Sequence, residues 1–154
     1  LAYRQQNMKR KTLCIQSKCH PQTISVLKSR AQPLGIKIII NKNCNEDTFA
    51  AIIQNPDTCG NILDIRKLID ENKSKKIMSI VAADIMSLVL LKSPGQLGAD
   101  IVIGSSQRFG VPMGFGGPHA AFFATKNEYK RLMPGRIIRS YLEKPLYIVS
   151  VASY

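Results

Sequence analysis

The sequence has no long apolar run, no initiator methionine and no secretory signal. Its longest apolar stretches, at 36–40 and 86–91, are interrupted by Lys37 and Ser87, and both are far too short to cross a bilayer. The N-terminal residues lack the apolar core of a signal peptide. No transmembrane segment or membrane contact is therefore predicted. A chain that starts at Leu1 without an initiator is expected to be a piece of a longer protein.

Acidic residues are scarce, with 10 Asp and Glu against 22 Lys and Arg, for a net charge of +12. Residues 1–45 hold nine of the basic residues and no acid. Such a surface attracts phosphate whatever the base sequence, which raises a nucleic-acid hypothesis. However, no aromatic residues are interleaved with the cluster Lys9-Arg10-Lys11 for base stacking, and no recognition-helix or RNA-binding signature is present. We therefore expect a solvated basic face and no nucleic-acid partner.

Cysteine pairs of the CxxC type are also missing. Cys14 and Cys19 are separated by four residues, and Cys44 and Cys59 do not follow at the spacing of a zinc finger, so no metal site is predicted. Reduced thiols are the default in a reducing compartment. His20 next to Cys19 makes a Cys–His nucleophile formally possible, but no orienting third residue can be named.

What the sequence does contain is the material for one globular domain, since it has 154 residues and is 45% hydrophobic. Strands are predicted at 11–16, 36–40, 49–54, 77–83, 99–103 and 120–125. Helices are predicted at 21–31, where Pro21 occupies the permissive first turn, and at 62–73, 85–91 and 127–133, the last capped by Asn127. This alternation is typical of an α/β sheet of mostly parallel strands with right-handed crossovers.

The most heavily specified stretch is residues 104–119, which read GSSQRFGVPMGFGGPH between two apolar runs. Its five glycines permit positive φ or close approach to a ligand, and Pro112 and Pro118 prevent continuation as helix or central strand. One interpretation is a ligand or cofactor loop at the end of a sheet. The other is a turn-rich connection between strands. Neither a phosphate loop nor a dinucleotide fingerprint is present at the required spacing.

Asp84 is a second candidate, because it follows seven largely apolar residues at the end of a predicted strand. Open α/β sheets place their sites at the carboxyl ends of strands. Asp84 would equally serve as the cap of the short helix predicted at 85–91. The pattern alone leaves both interpretations open.

From about residue 7 to 136 the chain resembles the N-terminal half of the glycine dehydrogenase (decarboxylating) family, the P-proteins of the glycine cleavage system. The resemblance is carried by HPQT at 20–23, NPDTCG at 55–60, ADIMSL at 83–88, MPGR at 133–136 and above all GADIVIGSSQRFGVPMGFGGPHAAFFA at 98–124. A run of that last length is highly specific.

The resemblance implies an incomplete large domain of the aspartate-aminotransferase type of pyridoxal-phosphate fold, with three layers and a mostly parallel sheet. It implies that Asp84 matches the acid that pairs with the pyridine nitrogen, so that the ring acts as an electron sink. It also implies that Arg108 stands where related enzymes carry the covalent lysine. Arginine remains protonated and cannot form an imine. The covalent lysine is therefore expected in the missing C-terminal half or in a partner subunit.

The family reaction is decarboxylation of glycine, followed by transfer of the aminomethyl group to the lipoyl arm of the H-protein. The resemblance therefore implies glycine as substrate, the H-protein and the other half as partners, and a homo- or hetero-oligomer in mitochondria or, alternatively, in a bacterial cytoplasm. No residue of this chain is expected to be catalytic. Pseudo-site or partner-site positions are expected at Asp84, Ser105, Ser106, Gln107, Arg108 and His119, and His119 is equally explained as a structurally satisfied histidine.

Residues 1–136 are accordingly expected to form a partial large domain, and residues 137–154 match the family poorly and are set apart as a divergent tail. Alone, this lysine-less half is expected to be inactive. The competing hypothesis, favoured by an arginine in the lysine position, is a non-catalytic scaffold or degenerate remnant of such an enzyme.

Overall fold

A seven-stranded sheet with the order β2-β1-β3-β4-β5-β6-β7 forms the centre of the computed structural model. The structure describes residues 1–40, 44–111, 114, 120–134 and 150–151. The strands are β1 (Thr12–Ile15), β2 (Lys37–Ile40), β3 (Thr48–Asn55), β4 (Met78–Ala83), β5 (Ile101–Ser105), β6 (Ala121–Thr125) and β7 (Ser150–Val151). The helices are α1 (Ala2–Gln5), α2 (Pro21–Ala31) and α3 (Ile65–Ser74).

The first five strands are parallel to one another, whereas β6 is antiparallel to β5 and β7 is antiparallel to β6. The prediction of a mostly parallel α/β sheet is therefore confirmed. β3 is buried along its whole length, as expected for a central strand with both faces covered.

Helices cover both faces of the sheet. On one face, Ile24 and Leu27 of α2 pack against a core that includes Leu13 and Ile15 of β1. On the other face, Ile69 of α3 packs against alternate residues of β4 and β5. The two helices contact opposite faces because successive side chains of a strand point to opposite sides of the sheet. The expected three layers are thus present.

Helix starts follow the local chemistry. Pro21 begins α2, as predicted, because its fixed φ suits the first turn and its missing N–H has no partner to lose there. The helix predicted at 62–73 begins three residues later. Asp64 is its cap and accepts a hydrogen bond from the Lys67 backbone N–H at 3.2 Å. α1 had no counterpart among the predicted elements.

Two predicted helices are 3₁₀ turns instead, at Ile85–Val89 and Asn127–Leu132. Asn127 is the first residue of the second turn, and the residue before it makes no side-chain cap, so the prediction of Asn127 as a cap was wrong. β5 also extends further than predicted, because Gly104 and Ser105 pair with Phe122 and Ala121 of β6. They belong to the strand and not to the loop that follows it.

Candidate functional site

The carboxyl ends of β1, β3, β4 and β5 lie at one edge of the sheet because these strands are parallel. We call this the carboxyl edge. Residues 16–20, 56–60, 84 and 106–108 follow these four strands directly. Open α/β sheets bind ligands outside this edge. It therefore brings together most of the positions that the sequence predicts as site residues.

Asp84 follows β4 and caps the 3₁₀ turn behind it. One of its carboxylate oxygens accepts a hydrogen bond from the Met86 backbone N–H at 3.2 Å, and its carbonyl accepts one from the Ser87 hydroxyl at 2.7 Å. The interpretation of Asp84 as a cap is therefore confirmed. The cap uses only one carboxylate oxygen, Oδ1, which leaves Oδ2 available to a second partner.

That second partner is Arg108. Its Nη1 lies 3.4 Å from Asp84 Oδ2, so the residue that follows β4 is joined to the turn that follows β5. The arginine side chain is 65% exposed and the aspartate 30% exposed. Solvent screens such a pair, whose contribution to stability is at most about 1 kcal/mol. The pair therefore matters for where it holds the Arg108 side chain rather than for the stability of the fold.

The Ser105 hydroxyl at the end of β5 contacts Gln107 in the following turn and donates to the Ala120 carbonyl at 3.2 Å. Ser105 Oγ lies 3.3 Å from Gln107 Oε1 and accepts from the Gln107 backbone N–H at 3.2 Å. The Ser106 N–H donates to the Ala120 carbonyl at 2.9 Å, which joins the loop to the start of β6. Gln107 Nε2 is buried and has no hydrogen-bond partner among the described residues. His119, the remaining predicted site residue, lies outside the described residues.

Gly104 determines how closely the loop approaches Asp84. A Cβ at this position would overlap the Ala83 carbonyl oxygen and the Phe122 ring. Ala83 is the residue before Asp84, so β5 lies against β4 at the point where both site segments begin. Only glycine leaves room for that approach.

A cavity of about 420 Å³ lies between the ends of β1 and β3. The strand order reverses between these two strands, and such a switch point is where doubly wound folds form a crevice. Lys18 contacts the buried Asp57 carboxylate at 3.7 Å at this position. The sequence does not reveal this cavity, because the switch point is defined only once the strand order is known. Its lining residues include Ser17, Lys18, Pro21, Lys28, Thr58 and Cys59.

The Cys19–His20 nucleophile is not formed. Cys19 is buried, its thiol donates to the Ile52 carbonyl at 3.9 Å, and burial raises its pKa. His20 Nδ1 instead lies 2.9 Å from the Thr58 hydroxyl. A buried thiol with a raised pKa is a poor nucleophile.

The basic cluster at 9–11 includes a structural residue. Arg10 is half-buried, and its Nη1 donates to the Thr48 carbonyl at 2.9 Å and to the Lys76 carbonyl at 3.0 Å. Lys9 and Lys11 are exposed. The two lysines therefore lie on the expected solvated face, whereas Arg10 links the start of β3 to the segment before β4.

In the part of the chain that the structure describes, no three His, Cys, Asp or Glu side chains are grouped so that they could hold a metal ion. Within the same residues, no helix has the length and apolar character needed to span a bilayer.

Comparison with protein families identifies the chain. The family model described as glycine cleavage system P-protein matches residues 1–143. The chain belongs to this family. It is 56% identical over 123 residues to glycine dehydrogenase (decarboxylating) 2 of Pseudomonas putida, covering 78% of this chain. It is 51% identical over 141 residues to glycine dehydrogenase (decarboxylating) of Pelagibacter ubique, covering 90% of this chain. The names of these relatives indicate that members of the family are enzymes.

Solved structures support the same assignment. A crystal structure of glycine decarboxylase, the P-protein of the glycine cleavage system, in inhibitor-bound form matches with a TM-score of 0.83 and 28% identity, over 98% of this chain and 36% of that chain. An O-acetylhomoserine (thiol)-lyase from Campylobacter jejuni with N′-pyridoxyl-lysine-5′-monophosphate matches with a TM-score of 0.56 and 20% identity, over 63% of this chain and 25% of that chain. The second likeness concerns the fold alone.

The chain spans only 13–15% of the length of these two P-protein relatives. Both come from bacteria, so the expected mitochondrial location has no support in them.

The family and its fold imply pyridoxal phosphate, and the described residues of the carboxyl edge can be tested against it. Residues 104–119 contain no lysine, and Arg108 cannot replace one because a guanidinium does not form an imine. The Asp84 carboxylate, which would pair with a pyridine nitrogen, is already in contact with Arg108 and the Met86 N–H. The loop after β5 therefore does not suit a covalently held pyridoxal phosphate.

Proposed function

We propose that this chain is the lysine-less part of a pyridoxal-phosphate-dependent glycine decarboxylase. The cofactor, when bound, supplies the electron sink for decarboxylation. In this proposal the covalent lysine lies in another part of the parent protein or in a partner subunit, and the present segment is inactive alone. The observation that carries the proposal is the Asp84–Arg108 pair at the carboxyl edge, in a loop without lysine.

The surroundings of that pair favour a role at an interface. Large apolar side chains follow both members along the chain and are exposed: Val89 is 77% exposed, Leu90 90% and Phe109 62%. Apolar residues of this size around a polar pair are typical of a surface that another protein surface covers. We infer that the carboxyl edge packs against the lysine-bearing half and contributes to its active site from the other side.

Within this arrangement, Arg108 presents a permanent positive charge that suits a carboxylate, such as that of glycine, or an acidic lipoyl carrier. Ser105, Ser106 and Gln107 hold the turn in which Arg108 lies, through the contacts described above. His119 is proposed to be a further polar contributor to the interface. Asp84 orients Arg108 and does not act on a cofactor in this chain.

The proposed partners of the parent protein are the lipoylated H-protein, which receives the aminomethyl group, and the other half of the enzyme in a homo- or hetero-oligomer. The net charge of +12 would favour an acidic carrier through electrostatic complementarity. We propose a bacterial cytoplasm as the compartment, supported by the bacterial origin of the relatives.

The second candidate is a non-catalytic scaffold derived from such an enzyme. The observation that favours it is the same absence of lysine from residues 104–119. The two candidates differ in whether the full parent protein loses activity when the site in this segment is altered.

Arg108→Ala in the full parent protein tests the proposal, with glycine decarboxylation as the measurement. The change removes a charge from the proposed interface, and we expect kcat/KM for glycine to fall at least about tenfold, as for the loss of about 1.4 kcal/mol of transition-state stabilisation. The fold should be unaffected, because the Asp84–Arg108 pair is exposed.

Arg66→Ala is the matched control. Arg66 also pairs with an aspartate, Asp70, at 3.5 Å, and its side chain is about as exposed as that of Arg108, but it lies in the first turn of α3 and pairs only within that helix. Its removal should leave kcat/KM unchanged. If both variants retain full activity, Arg108 has no role in the site and the scaffold hypothesis gains the advantage.

A further inference from the structure

Two cysteines on a different part of the sheet form a thiol pair. Cys14 is a buried residue in the middle of β1. Cys44 is half-buried and lies in the connection between β2 and β3, which passes over β1 because the strand order is β2-β1-β3. The two cysteines pack together with Ala51 and Ile77. Sequence spacing does not predict this contact, since thirty positions separate the two residues and only the crossover brings them together.

The two neighbouring thiols shift each other's pKa. The Cys14 thiol donates to Cys44, and this hydrogen bond lowers the pKa of Cys44 to about 7, with a smaller contribution from the nearby Lys75 ammonium. The same hydrogen bond, together with burial, raises the pKa of Cys14. Arg10 donates to the Lys75 and Lys76 carbonyls and so fixes the backbone that carries this charge. The pair is therefore asymmetric, because the pKa of the half-buried Cys44 is lowered and that of the buried Cys14 is raised.

We propose that Cys44 and Cys14 form a thiol–disulfide exchange site for low-molecular-weight disulfides such as oxidised glutathione, in which Cys44 reacts first and Cys14 resolves the product. This proposal does not depend on the function proposed above. Disulfides of reducing compartments are typically transient and redox-sensing, which matches a pair that lies reduced and in contact.

The exchange proceeds in two steps. The Cys44 thiolate attacks one sulfur of oxidised glutathione, which breaks the glutathione disulfide, forms a Cys44–glutathione mixed disulfide and releases one glutathione thiolate. Cys14 then loses its proton to solvent and attacks Cys44 Sγ, which forms the Cys14–Cys44 disulfide and releases the second glutathione thiolate. Two cysteine thiols are oxidised by two electrons, and one molecule of oxidised glutathione is reduced.

The other two cysteines lack these features. Cys19 is buried, with its thiol donated to a backbone carbonyl. Cys59 is exposed, beyond the end of β3 and away from the crossover. At pH 7 a thiol with a pKa of about 7 is about half thiolate, whereas an ordinary cysteine is about 3% thiolate. A less basic thiolate is also a weaker nucleophile, which offsets part of this difference in the reaction rate. We expect Cys44 to react about threefold faster than an ordinary thiol of equal exposure.

The product would tie the crossover covalently to the central strand. The β2–β3 connection would then be held at Cys44 as well as at Asp47, whose carboxylate accepts hydrogen bonds from the Lys11 N–H and the Thr12 hydroxyl. A closed loop of this kind restricts the unfolded chain. Oxidation should therefore raise the thermal midpoint of this domain.

The experiment treats the reduced full chain with oxidised glutathione near neutral pH, quenches with acid and maps the cysteines by peptide mass spectrometry. Wild type should yield the Cys14–Cys44 disulfide with no glutathione on Cys44. Cys14→Ser should retain one glutathione on Cys44, because the resolving thiol is gone. Cys44→Ser should leave Cys14 unmodified. Cys59→Ser is the matched control and should behave as wild type.

Glutathione that remains on Cys44 in the wild type would overturn the proposal, as would modification of Cys14 in folded Cys44→Ser. A preferred pairing of either cysteine with Cys19 or Cys59 would overturn it as well. If Cys14→Ser does not fold, Cys14→Ala gives the same readout, and the wild-type product alone decides between exchange and simple modification.

Discussion

At the residue scale, Asp84 makes two contacts with one carboxylate: Oδ1 caps the turn after β4, and Oδ2 contacts Arg108. Asp84 was predicted as either a cap or a site residue, and the structure confirms the cap. Arg108 was singled out for its position in the resemblance, but its contact with Asp84 could not be predicted. That contact joins residues after two different strands, and their proximity depends on β4 and β5 being neighbours.

Asp57 shows what residue-level pattern reasoning misses. Nothing in the motif NPDTCG indicates a buried acid, yet the Asp57 side chain is fully buried at the carboxyl edge. One carboxylate oxygen accepts from the Cys59 N–H at 2.8 Å and from the Asn61 N–H at 2.9 Å. Acids are seldom buried unless hydrogen bonds satisfy them, and those donors lie on residues that the turn itself brings close.

We predict that Asp57→Asn destabilises the chain at neutral pH and weakens its sensitivity to acid. Hydrogen bonds from Asn61 lower the pKa of Asp57 below its ordinary value. The folded state therefore favours the carboxylate. Its contribution is fully present above the unfolded pKa of about 3.9 and disappears as the pH falls through the lower folded value. The variant should be less stable than wild type at pH 7, and the difference should shrink below about pH 4.

The measurement is the urea midpoint of both proteins between about pH 3 and 7. Asp70→Asn removes an exposed aspartate from α3 and is the control, expected to stay within about 0.5 kcal/mol of wild type. A constant difference between Asp57→Asn and wild type across this range would contradict the assigned role of the carboxylate.

At the element scale, the start and type of a helix or strand were predictable where particular residues determine them. Pro21 begins α2 and the β-branched run at 36–40 forms β2, both as predicted. The short turns after β4 and β6 were not distinguished from helices, because a few apolar residues at helical spacing suit either geometry. The antiparallel direction of β6 was likewise not predictable, since an apolar run carries no sign of strand direction.

Gly104 gives a prediction for β5 as an element. Gly104→Ala should destabilise the chain by about 1 to 3 kcal/mol, because the new Cβ overlaps the Ala83 carbonyl and the Phe122 ring, and backbone cannot move aside cheaply. The same displacement should move Arg108 away from Asp84. The denaturant midpoint measures the first effect, and glycine decarboxylation by the parent protein carrying the change measures the second.

Gly114→Ala is the control for this prediction. A Cβ on Gly114 meets no described atom within 4 Å, and the variant should unfold close to wild type. Equal stability of Gly104→Ala and Gly114→Ala would mean that β4, β5 and β6 do not approach as closely as the structure indicates.

At the scale of the whole molecule, the alternation of strand and helix was sufficient to predict the α/β class, and the family resemblance implied its three layers. The alternation was not sufficient to predict the cavity between the ends of β1 and β3, because the reversal between these strands is a property of strand order. The family assignment came from residues 98–124 and is supported by the match over residues 1–143. The separation of residues 137–154 as a divergent tail remains a prediction.

The proposal that this chain holds only part of an active site also belongs to the scale of the whole molecule. The loop after β5 contains Arg108 and no lysine, and a guanidinium cannot form an imine with pyridoxal phosphate. Exposed apolar residues flank it, and the chain spans a small part of its relatives. These observations support one account, in which the chain completes an active site whose covalent lysine lies elsewhere.

The most direct test of that account is the absorbance spectrum of the purified chain after incubation with pyridoxal phosphate, before and after borohydride reduction. The account predicts no stable imine band and no reduced adduct on any specific lysine, whereas the full parent protein should show both. A single lysine of this chain that becomes labelled in stoichiometric amount would contradict the account and indicate a cofactor site within these 154 residues.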